Sequence, residues 1–388
     1  MRKILFVAER LQVNGAVKSL LALLKSICND YDVSLFLFAH DGDMMSEIPK
    51  NVRVLPALEE YRAVSGQMKR IVVESLKKGD FAVAWFRLRI FLQRALHLPF
   101  SQWDKLAEIN GDWDVVCAYA DGFISSVVVN KVPMGKKVLW VHENYEDNPK
   151  PREVLDSFKG SDAIVGVSED ALTHLRNLLR ESINGKTFVV HNIVNPQSVQ
   201  ALSRQGKVVL PGKGHNIISV GRVSQEKGYD LIPLILERLQ QSGIDAHWSI
   251  IGGGLKAYEE SIIEEARRRG VSEYIHFLGE KQNPHPWTAA ADCFVQLSRH
   301  EGWCMTITEA LALDKPVVAT DMPVFREQIV DGVNGFLAKD VDSFAAAIQR
   351  VMQGELPSAQ HGFDSPCTPA NVRREFNNMV DSILRGCS

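Results

Sequence analysis

The stretch ILFVAERLQVNGAVKSLLALLKSICNDYDVSLFLFA (4–39) decides the fold class. It opens with the apolar run ILFVA (4–8), which is typical of a strand buried on both faces of a parallel sheet. A turn containing Asn14 and Gly15 follows, and apolar residues then recur at helical spacing. A second apolar run, VSLFLFA (33–39), completes a strand–helix–strand unit.

Further runs of this kind continue along the chain, separated by helix-sized gaps. They are VVCAYA (115–120), KVLWVH (137–142), AIVGVS (163–168) and TFVVHN (187–192), and, after a Pro/Gly-containing segment at 211–214, IISVGRV (217–223), HWSIIGGG (247–254), YIHFLG (274–279), CFVQLS (293–298) and PVVAT (316–320). Two successive series of strand–helix repeats predict an α/β protein with two Rossmann-like, doubly wound domains. Open sheets bind ligands outside the carboxyl ends of their strands, so we expect a site in the cleft between the domains.

The predicted domain limits follow from these two series. We assign 1–195 to an N-terminal domain and 196–369 to a C-terminal domain. The segment 370–388 is predicted to be largely a helix that packs back toward the N-terminal domain, because its apolar residues fall on one stripe. A basic amphipathic insertion is expected at about 62–105.

Bulk composition excludes several classes of protein. The net charge of −3 over 388 residues argues against nucleic-acid binding, which favours basic domains. The six cysteines are scattered without a C-x-x-C pair, which argues against a zinc site or a disulfide framework. The N-terminal apolar run is too short for a signal peptide, and no stretch approaches the length of a membrane span. We therefore expect a cytoplasmic protein.

The stretch LSRHEGWCMTITEALALDKPVVATDMP (297–323) carries two candidate binding carboxylates. Glu301 and Glu309 are separated by seven residues, with Glu301 in a loop and a helix expected to begin at Thr308. Backbone N–H groups at a helix start suit a phosphate anion, and carboxylates suit hydroxyl donors. Glu309 is therefore a candidate for holding a ribose diol, and Glu301 for holding a sugar hydroxyl.

The stretch VGRVSQEKGYD (220–230) carries the complementary charge. A strand end delivers Arg222 and, five residues later, Lys227. Two cations at the carboxyl end of a strand can neutralise a diphosphate as its bond to a sugar breaks. Taken alone, each pattern has a simpler explanation: the glutamates as solvated surface residues, and the Arg/Lys pair as partners in salt bridges.

Together, and in this order, the two stretches resemble retaining glycosyltransferases of family 4, the group 1 glycosyltransferases, which have the GT-B fold of two Rossmann-like domains facing across a cleft. The likeness covers nearly the whole chain and is strongest from about 187 to 340. Supporting strings are HNIVNP (191–196), IIGGG (250–254), FLGEKQNPHPW (277–287) and FREQIVDGVNGFL (325–337).

The resemblance implies that 1–195 is the acceptor-side domain and that 196–369 binds the nucleotide sugar. It also implies a role for each matching residue. Glu301 contacts the donor sugar and Glu309 the ribose, while Arg222 and Lys227 bind the donor diphosphate. His142 lies beside the donor sugar. The backbone around the donor comes from Gly221, from the loop Gly302, Trp303, Cys304 and Met305, and from Gly15 and Ala16 in the first loop. Two residues depart from the family pattern, since Ala16 replaces a second glycine and Trp303 replaces a smaller aromatic.

The family also implies that the enzyme needs no cofactor and no bound metal. D-x-D sequences occur at Asp41–Asp43 and Asp112–Asp114, and we interpret both as solvated loop carboxylates because no further ligands cluster near them. The nucleotide-sugar donor, UDP-linked by family frequency, is then a co-substrate. No nucleophile is evident, so we expect a front-face transfer in which the departing phosphate takes the proton of the acceptor.

The segment 62–105 bears on the acceptor. It has nine basic residues against three acidic ones, interleaved with aromatic and aliphatic residues. Such a segment can lie on an anionic membrane, which fits a lipid-linked saccharide acceptor at the inner face of the cell membrane. The alternative is a helical pair that packs on the N-terminal domain with a solvated basic face.

Three other functions fit parts of the sequence. A GT-B-fold nucleotide-sugar epimerase or a phosphorylase would share the fold without transferring sugar to an acceptor. A nicotinamide-dependent oxidoreductase is suggested by Gly252 to Gly254, but the G-x-G-x-x-G spacing is missing. An inactive scaffold would not need the intact charged set.

Overall fold

The computed structural model describes residues 1–64, 81, 85, 88–89, 92, 100, 103–144, 152–183, 185–355 and 365–386. The chain divides into two compact units. The first unit comprises Met1–Ile193 together with Pro369–Ser388, and the second comprises Val194–Thr368.

The first unit is built on a parallel sheet of seven strands. The strands are β1 (Lys3–Ala8), β2 (Asp32–Leu37), β3 (Arg53–Val54), β4 (Val115–Ala118), β5 (Lys136–Val141), β6 (Ala163–Gly166) and β7 (Thr187–Val189). Their order across the sheet is β3-β2-β1-β4-β5-β6-β7, with every neighbouring pair parallel. All residues of β4 and β6 are buried, and five of the six in β1 are buried, as expected for strands covered on both faces.

Helices connect these strands. They are α1 (Gly15–Ile27), α2 (Glu59–Val64), α3 (Phe123–Lys131), α4 (Arg152–Lys159) and α5 (Glu169–Leu179). The start of α1 is fixed by Asn14, whose side-chain oxygen accepts a hydrogen bond from the backbone N–H of Val17. Ser168 caps α5 in the same way. These caps end the loops that follow β1 and β6 and so set where the helices begin.

The second unit has a parallel sheet of six strands. The strands are β8 (His215–Val220), β9 (Ala246–Ile251), β10 (Ile275–Gly279), β11 (Cys293–Gln296), β12 (Val317–Thr320) and β13 (Phe336–Ala338). Their order is β10-β9-β8-β11-β12-β13. The helices are α6 (Pro196–Ser203), α7 (Ile232–Gln241), α8 (Lys256–Arg268), α9 (His285–Ala290), α10 (Met305–Ala312), α11 (Pro323–Arg326) and α12 (Val341–Met352).

The last helix, α13 (Pro369–Arg385), returns to the first unit. Its ring of Phe376 stacks on Phe6 of β1 at 6.1 Å and on Trp140 of β5 at 6.3 Å, and it meets Tyr31 edge-on. Burial of this apolar stripe holds the C-terminal segment against the first sheet.

The two-domain α/β prediction is confirmed, because both sheets are parallel and helices separate their strands. The short strands β3 and β13 were missed by the sequence analysis, since a run of two or three residues carries too little apolar pattern to be recognised. The helix expected to begin at Thr308 begins at Met305 instead.

Most of the segment 62–105 lies outside the described residues, so the predicted basic insertion stays a prediction. Four of its described side chains are large, apolar and exposed: Phe81, Trp85, Leu88 and Leu92. In the described part of the chain, no helix is both long enough and apolar enough to cross a membrane.

Candidate functional site

The carboxyl edge of the second sheet gathers several of the predicted residues. The strand order reverses between β8 and β11, so these two neighbouring strands form the topological switch point of this sheet. Gly221 and Arg222 follow β8 directly, and Glu301 lies five residues after the end of β11. The crevice at such a point is where open α/β sheets bind ligands.

Lys227 and Glu301 form an ion pair at this edge. The distance from Lys227 Nζ to Glu301 Oε1 is 2.5 Å, and the two side chains are only 20% and 11% exposed. Seventy-four positions separate the two residues in the sequence. The structure therefore brings together one member of the predicted basic pair and one of the predicted acidic pair.

Two buried polar side chains hold the Glu301 carboxylate in place. Ser298 Oγ donates to Glu301 Oε1 at 2.8 Å, and Gln296 Nε2 donates to Ser298 Oγ at 2.7 Å. Ser298 and Gln296 are fully buried. Within the described residues, both hydrogen bonds to the carboxylate fall on Oε1, which leaves Oε2 to accept from a ligand hydroxyl. Sequence analysis missed this support, although Ser298 stands in the quoted stretch.

Lys227 keeps its charge in this setting. Burial by itself would lower the pKa of the ammonium, but the negative charge of Glu301 outweighs that effect and raises the pKa above its usual value. A cation that is partly shielded from water and charged at neutral pH is suited to neutralising an anionic ligand.

Arg222 is exposed and forms no ion pair with any residue that the structure describes. The backbone just before Arg222 runs close to Lys227, because a Cβ placed on Gly221 would lie 3.6 Å from Lys227 Cε. The glycine turn after β9 packs against the same segment, and a Cβ on Gly252 would lie 1.9 Å from the carbonyl oxygen of Gly221. Only glycine permits that approach, and the φ of Gly252 is +154°.

The predicted donor loop at 302–305 leads directly into a helix. Gly302, Trp303 and Cys304 are buried, and Met305 is the first residue of α10 rather than a loop residue. Cys304 occupies the N-cap position of α10, without a side-chain capping hydrogen bond. Burial raises the pKa of the Cys304 thiol to about 12, which keeps it neutral.

Glu309 contacts the start of α9. It sits in the middle of α10, and its Oε2 is 3.7 Å from Nε2 of His285 at the start of α9. His285 in turn contacts Asn283, with 2.7 Å between Nδ1 and Oδ1. Sequence analysis did not single out His285, although it stands in the string FLGEKQNPHPW.

His142, Gly15 and Ala16 belong to the first unit and lie after the carboxyl ends of β5 and β1. His142 Nε2 is 3.0 Å from the carbonyl oxygen of Tyr119, and burial lowers the pKa of its ring, so it is neutral at pH 7. Gly15 is exposed at the first turn of α1, and a Cβ there would meet no atom within 4 Å.

Three of the four D-x-D carboxylates contact other residues of the protein. Asp112 pairs with the Lys3 ammonium at 2.8 Å, and Asp114 accepts the Lys3 backbone N–H at 2.7 Å. Asp41 lies 3.5 Å from Nε of Arg10. Among the residues that the structure describes, no group of three or more His, Cys, Asp or Glu side chains is arranged to hold a metal ion.

Comparison with solved structures identifies the class of fold. Over 98% of its length the chain is similar to the whole of Alr3699/HepE from Anabaena, solved in complex with UDP and glucose, at a TM-score of 0.69 and 17% identity. A lipopolysaccharide outer core galactosyltransferase, WaaB, gives a TM-score of 0.66 at 18% identity, covering 98% of this chain and 99% of that one. With its two parallel-sheet units, the chain has the GT-B fold.

Comparison with protein families is more specific for the second unit. Residues 203–363 match the family described as glycosyl transferases group 1. The lipopolysaccharide core biosynthesis mannosyltransferase LpsB of Rhizobium meliloti is 36% identical over 117 residues, which are 29% of this chain and 33% of that protein. Matches to the first curated relatives span between 33% and 50% of the relatives' length. The family match thus covers most of the second unit.

Proposed function

We propose that the protein is a retaining glycosyltransferase that moves a hexosyl or N-acetylhexosaminyl group from a UDP-sugar to a saccharide or lipid-linked saccharide in cell-surface polysaccharide biosynthesis. The observation that carries the proposal is the partly buried Lys227–Glu301 pair at the switch point of the sheet in the unit that matches the glycosyl transferases group 1 family. It supplies a cation for a diphosphate and a carboxylate for a sugar hydroxyl at one sheet edge. Relatives named as lipopolysaccharide mannosyltransferases support the substrate class.

The charges of the site suit a departing nucleoside diphosphate. Arg222 is exposed at the same sheet edge, and Lys227 is held charged by Glu301. As the bond between the anomeric carbon and the phosphate oxygen breaks, the two cations stabilise the charge that develops on that oxygen. The two residues take the role that a magnesium ion plays in metal-dependent transferases, so the reaction needs no metal.

The sugar is transferred on one face. The acceptor hydroxyl attacks the anomeric carbon from the side of the leaving phosphate and gives its proton to a phosphate oxygen, which preserves the configuration. Glu301 supports this route, because its Oε1 is already held by Lys227 and Ser298 and its other oxygen is suited to a hydroxyl. A covalent glycosyl–enzyme adduct trapped during turnover would contradict the front-face mechanism.

The donor is identified by screening nucleotide sugars in a thermal-shift assay. A donor that binds the folded protein at about 100 times its dissociation constant adds about 2.7 kcal/mol to the unfolding free energy. We expect the largest rise in Tm with a UDP-sugar, and the same rise with EDTA present. A rise only with added divalent cation contradicts the metal-independent proposal.

Turnover separates the proposal from its alternatives. We expect release of UDP from the donor to require an acceptor, and the product to keep the anomeric configuration of the donor in NMR spectra. An epimerase would convert the donor without net release of UDP, and a phosphorylase would require inorganic phosphate. Either result overturns the assignment.

We also propose that the segment 62–105 attaches the protein to the inner face of the cell membrane, where a lipid-linked acceptor is presented. Phe81, Trp85, Leu88 and Leu92 are helical, exposed and spaced so that in one helix they share a face. The segment as a whole has six more basic than acidic residues. An apolar face beside positive charge binds an anionic lipid surface.

Vesicle co-sedimentation tests this attachment. We expect the protein to sediment with phosphatidylglycerol-containing vesicles and to stay in solution with pure phosphatidylcholine. The double variant Trp85→Ser/Leu88→Ser loses sedimentation, while Val209→Ser, which removes an even more exposed apolar side chain from the second unit, keeps it. No sedimentation of the unaltered protein with anionic vesicles ends the proposal.

A further inference from the structure

Two loops must hold their positions for the Lys227–Glu301 pair to form. Lys227 lies in a loop that follows β8, where Gln225–Lys227 and Tyr229–Leu231 form short 3-10 turns. Glu301 lies in a loop that follows β11. Neither residue lies within a strand or an α-helix, so something outside the regular elements has to fix the distance between the two loops.

Arg299 connects the two loops through four hydrogen bonds. Its guanidinium donates to both carboxylate oxygens of Asp230, at 2.9 and 2.7 Å, and to the carbonyl oxygen of Gln225 at 2.5 Å. Its backbone N–H donates to the carbonyl oxygen of Glu226 at 2.8 Å. Arg299 stands two positions before Glu301 in the sequence, and its partners lie on both sides of Lys227.

Asp230 is itself held by a third element. Tyr258 on α8 donates its phenolic O–H to Asp230 Oδ1 at 2.7 Å. Burial would raise the pKa of the Asp230 carboxyl, but the hydrogen bonds from Arg299 and Tyr258 outweigh burial and lower that pKa. Asp230 is therefore an anion at neutral pH and a firm partner for the guanidinium.

Between the two loops there is also a close backbone approach. Gly228, which follows Lys227 directly, has φ of +68°, and a Cβ on it would lie 2.2 Å from the carbonyl oxygen of Leu297. The loop that carries Lys227 thus lies directly against the chain leading to Glu301. The hydrogen bonds of Arg299 join the same two segments at Gln225, Glu226 and Asp230.

We infer that Arg299 and Asp230 are positioning residues that set the geometry of Lys227 and Glu301 for sugar transfer, an inference that rests on the proposed function. The side chains of the pair are 40% and 42% exposed, and ion pairs at that exposure contribute little to overall stability. The main effect of the pair is on orientation. Two parallel hydrogen bonds from the Arg299 guanidinium to the Asp230 carboxylate fix how the two loops are oriented relative to each other.

The test compares Arg299→Met with a matched control, Arg269→Met. Arg269 also forms close carboxylate contacts in the second unit, 2.7 Å to both Glu237 and Glu265, and is more buried than Arg299. We expect Arg299→Met to lower kcat by about 10- to 100-fold with a smaller change in KM, since displacement of a charged group by about 1 Å can cost about 100-fold. Arg269→Met lowers Tm at least as much but keeps kcat.

The conservative variant Arg299→Lys adds a graded readout. Lysine keeps the positive charge but cannot bind both carboxylate oxygens in the planar, two-point manner of arginine. We expect its kcat to lie between those of the unaltered protein and Arg299→Met. Equal kcat for Arg299→Lys and the unaltered protein would assign the effect to charge alone and overturn the positioning role.

A second measurement does not depend on activity. The ammonium of Lys227 is protected by Glu301, so acetic anhydride should acetylate it more slowly than exposed Lys256, as read by mass spectrometry of peptides. Arg299→Met should raise the labelling of Lys227 relative to Lys256, and Arg269→Met should not.

The two readouts separate the possible failures. If the unaltered protein transfers no sugar, the proposed function fails, and labelling alone decides whether Arg299 holds Lys227 in place. If sugar is transferred and Arg299→Met changes neither kcat nor the labelling of Lys227 more than Arg269→Met does, the inference about Arg299 is overturned.

Discussion

In the first unit, the predicted residues at the carboxyl edge of the sheet are uncharged: a neutral His142 and the backbone at Gly15 and Ala16. In the second unit, the corresponding edge carries a partly buried ion pair and an exposed arginine that forms no ion pair within the described residues. Both sheets are parallel and both have a switch point, at β1/β4 and at β8/β11. The charged members of the predicted set therefore lie in the second unit, and the uncharged ones in the first.

Removing the charge in the second unit is expected to have the largest effect on activity. We expect Lys227→Met to lower kcat by about 100- to 1,000-fold, the cost typical of losing one preorganised group that stabilises transition-state charge. The matched control is Lys315→Met, which removes a lysine bound to the carbonyl oxygen of Ala291, before the start of β11 and so away from its carboxyl end. Steady-state release of UDP measures both. Equal losses in the two variants would show that Lys227 has only a structural role.

The next largest expected effect is a difference in stability between the variants Gly252→Ala and Gly15→Ala. We expect Gly252→Ala to lower the unfolding free energy by about 2–4 kcal/mol, because the new Cβ would collide with the carbonyl oxygen of Gly221 and the φ of +154° is strained for alanine. Gly15→Ala has free space for its Cβ and should leave the unfolding free energy within about 1 kcal/mol.

Urea unfolding measures these changes, and donor titration adds a second readout. Gly15→Ala should weaken donor binding despite its unchanged stability, if the backbone at α1 approaches the donor. Unchanged donor affinity in Gly15→Ala would remove the first loop from the donor site, while a stable Gly252→Ala would contradict the packing of the glycine turn.

The smallest expected effect is a difference in pH dependence between the units. The pKa of His142 is lowered by burial below its usual 6.5, against the opposing effects of its bond to Tyr119 and of Asp121. Its contribution to stability is therefore complete above about pH 6.5 and is lost as the pH falls toward the folded-state pKa. The pKa of Lys227 is raised, so its contribution is present below its usual 10.5 and is lost only as the pH rises beyond that value.

Thermal unfolding between pH 5 and pH 7.5 tests the acid side of this contrast. We expect His142→Asn to flatten the fall of Tm toward acid pH, at a scale of about 1.4 kcal/mol for each unit of pKa difference. Part of the slope should remain, because the pKa of His276 in the second unit is also lowered by burial and by His247. An unchanged slope in His142→Asn would show that the His142 ring is accessible to protons in the folded state.

Sequence by itself determined the class of fold. Continuous apolar runs such as ILFVA (4–8) identify strands buried on both faces, because only such strands exclude charge from two opposite sides. Sequence analysis also recognised the acidic pair Glu301 and Glu309 and the basic pair Arg222 and Lys227, because the members of each pair lie within one short stretch. The short strands β3 and β13 could not be recognised in this way, because only their hydrogen bonding to a neighbouring strand defines them.

Only the tertiary structure decided which of these residues meet. Lys227 and Glu301 are 74 positions apart, and they touch because β8 and β11 are neighbours in the sheet, an arrangement that no local pattern encodes. The support of Glu301 by Ser298 and the contact of Arg299 with Asp230 depend on that same neighbourhood. The physical reason is that strand order is fixed by the burial of whole sheet faces, whereas the sequence pattern records only which residues of each strand are apolar.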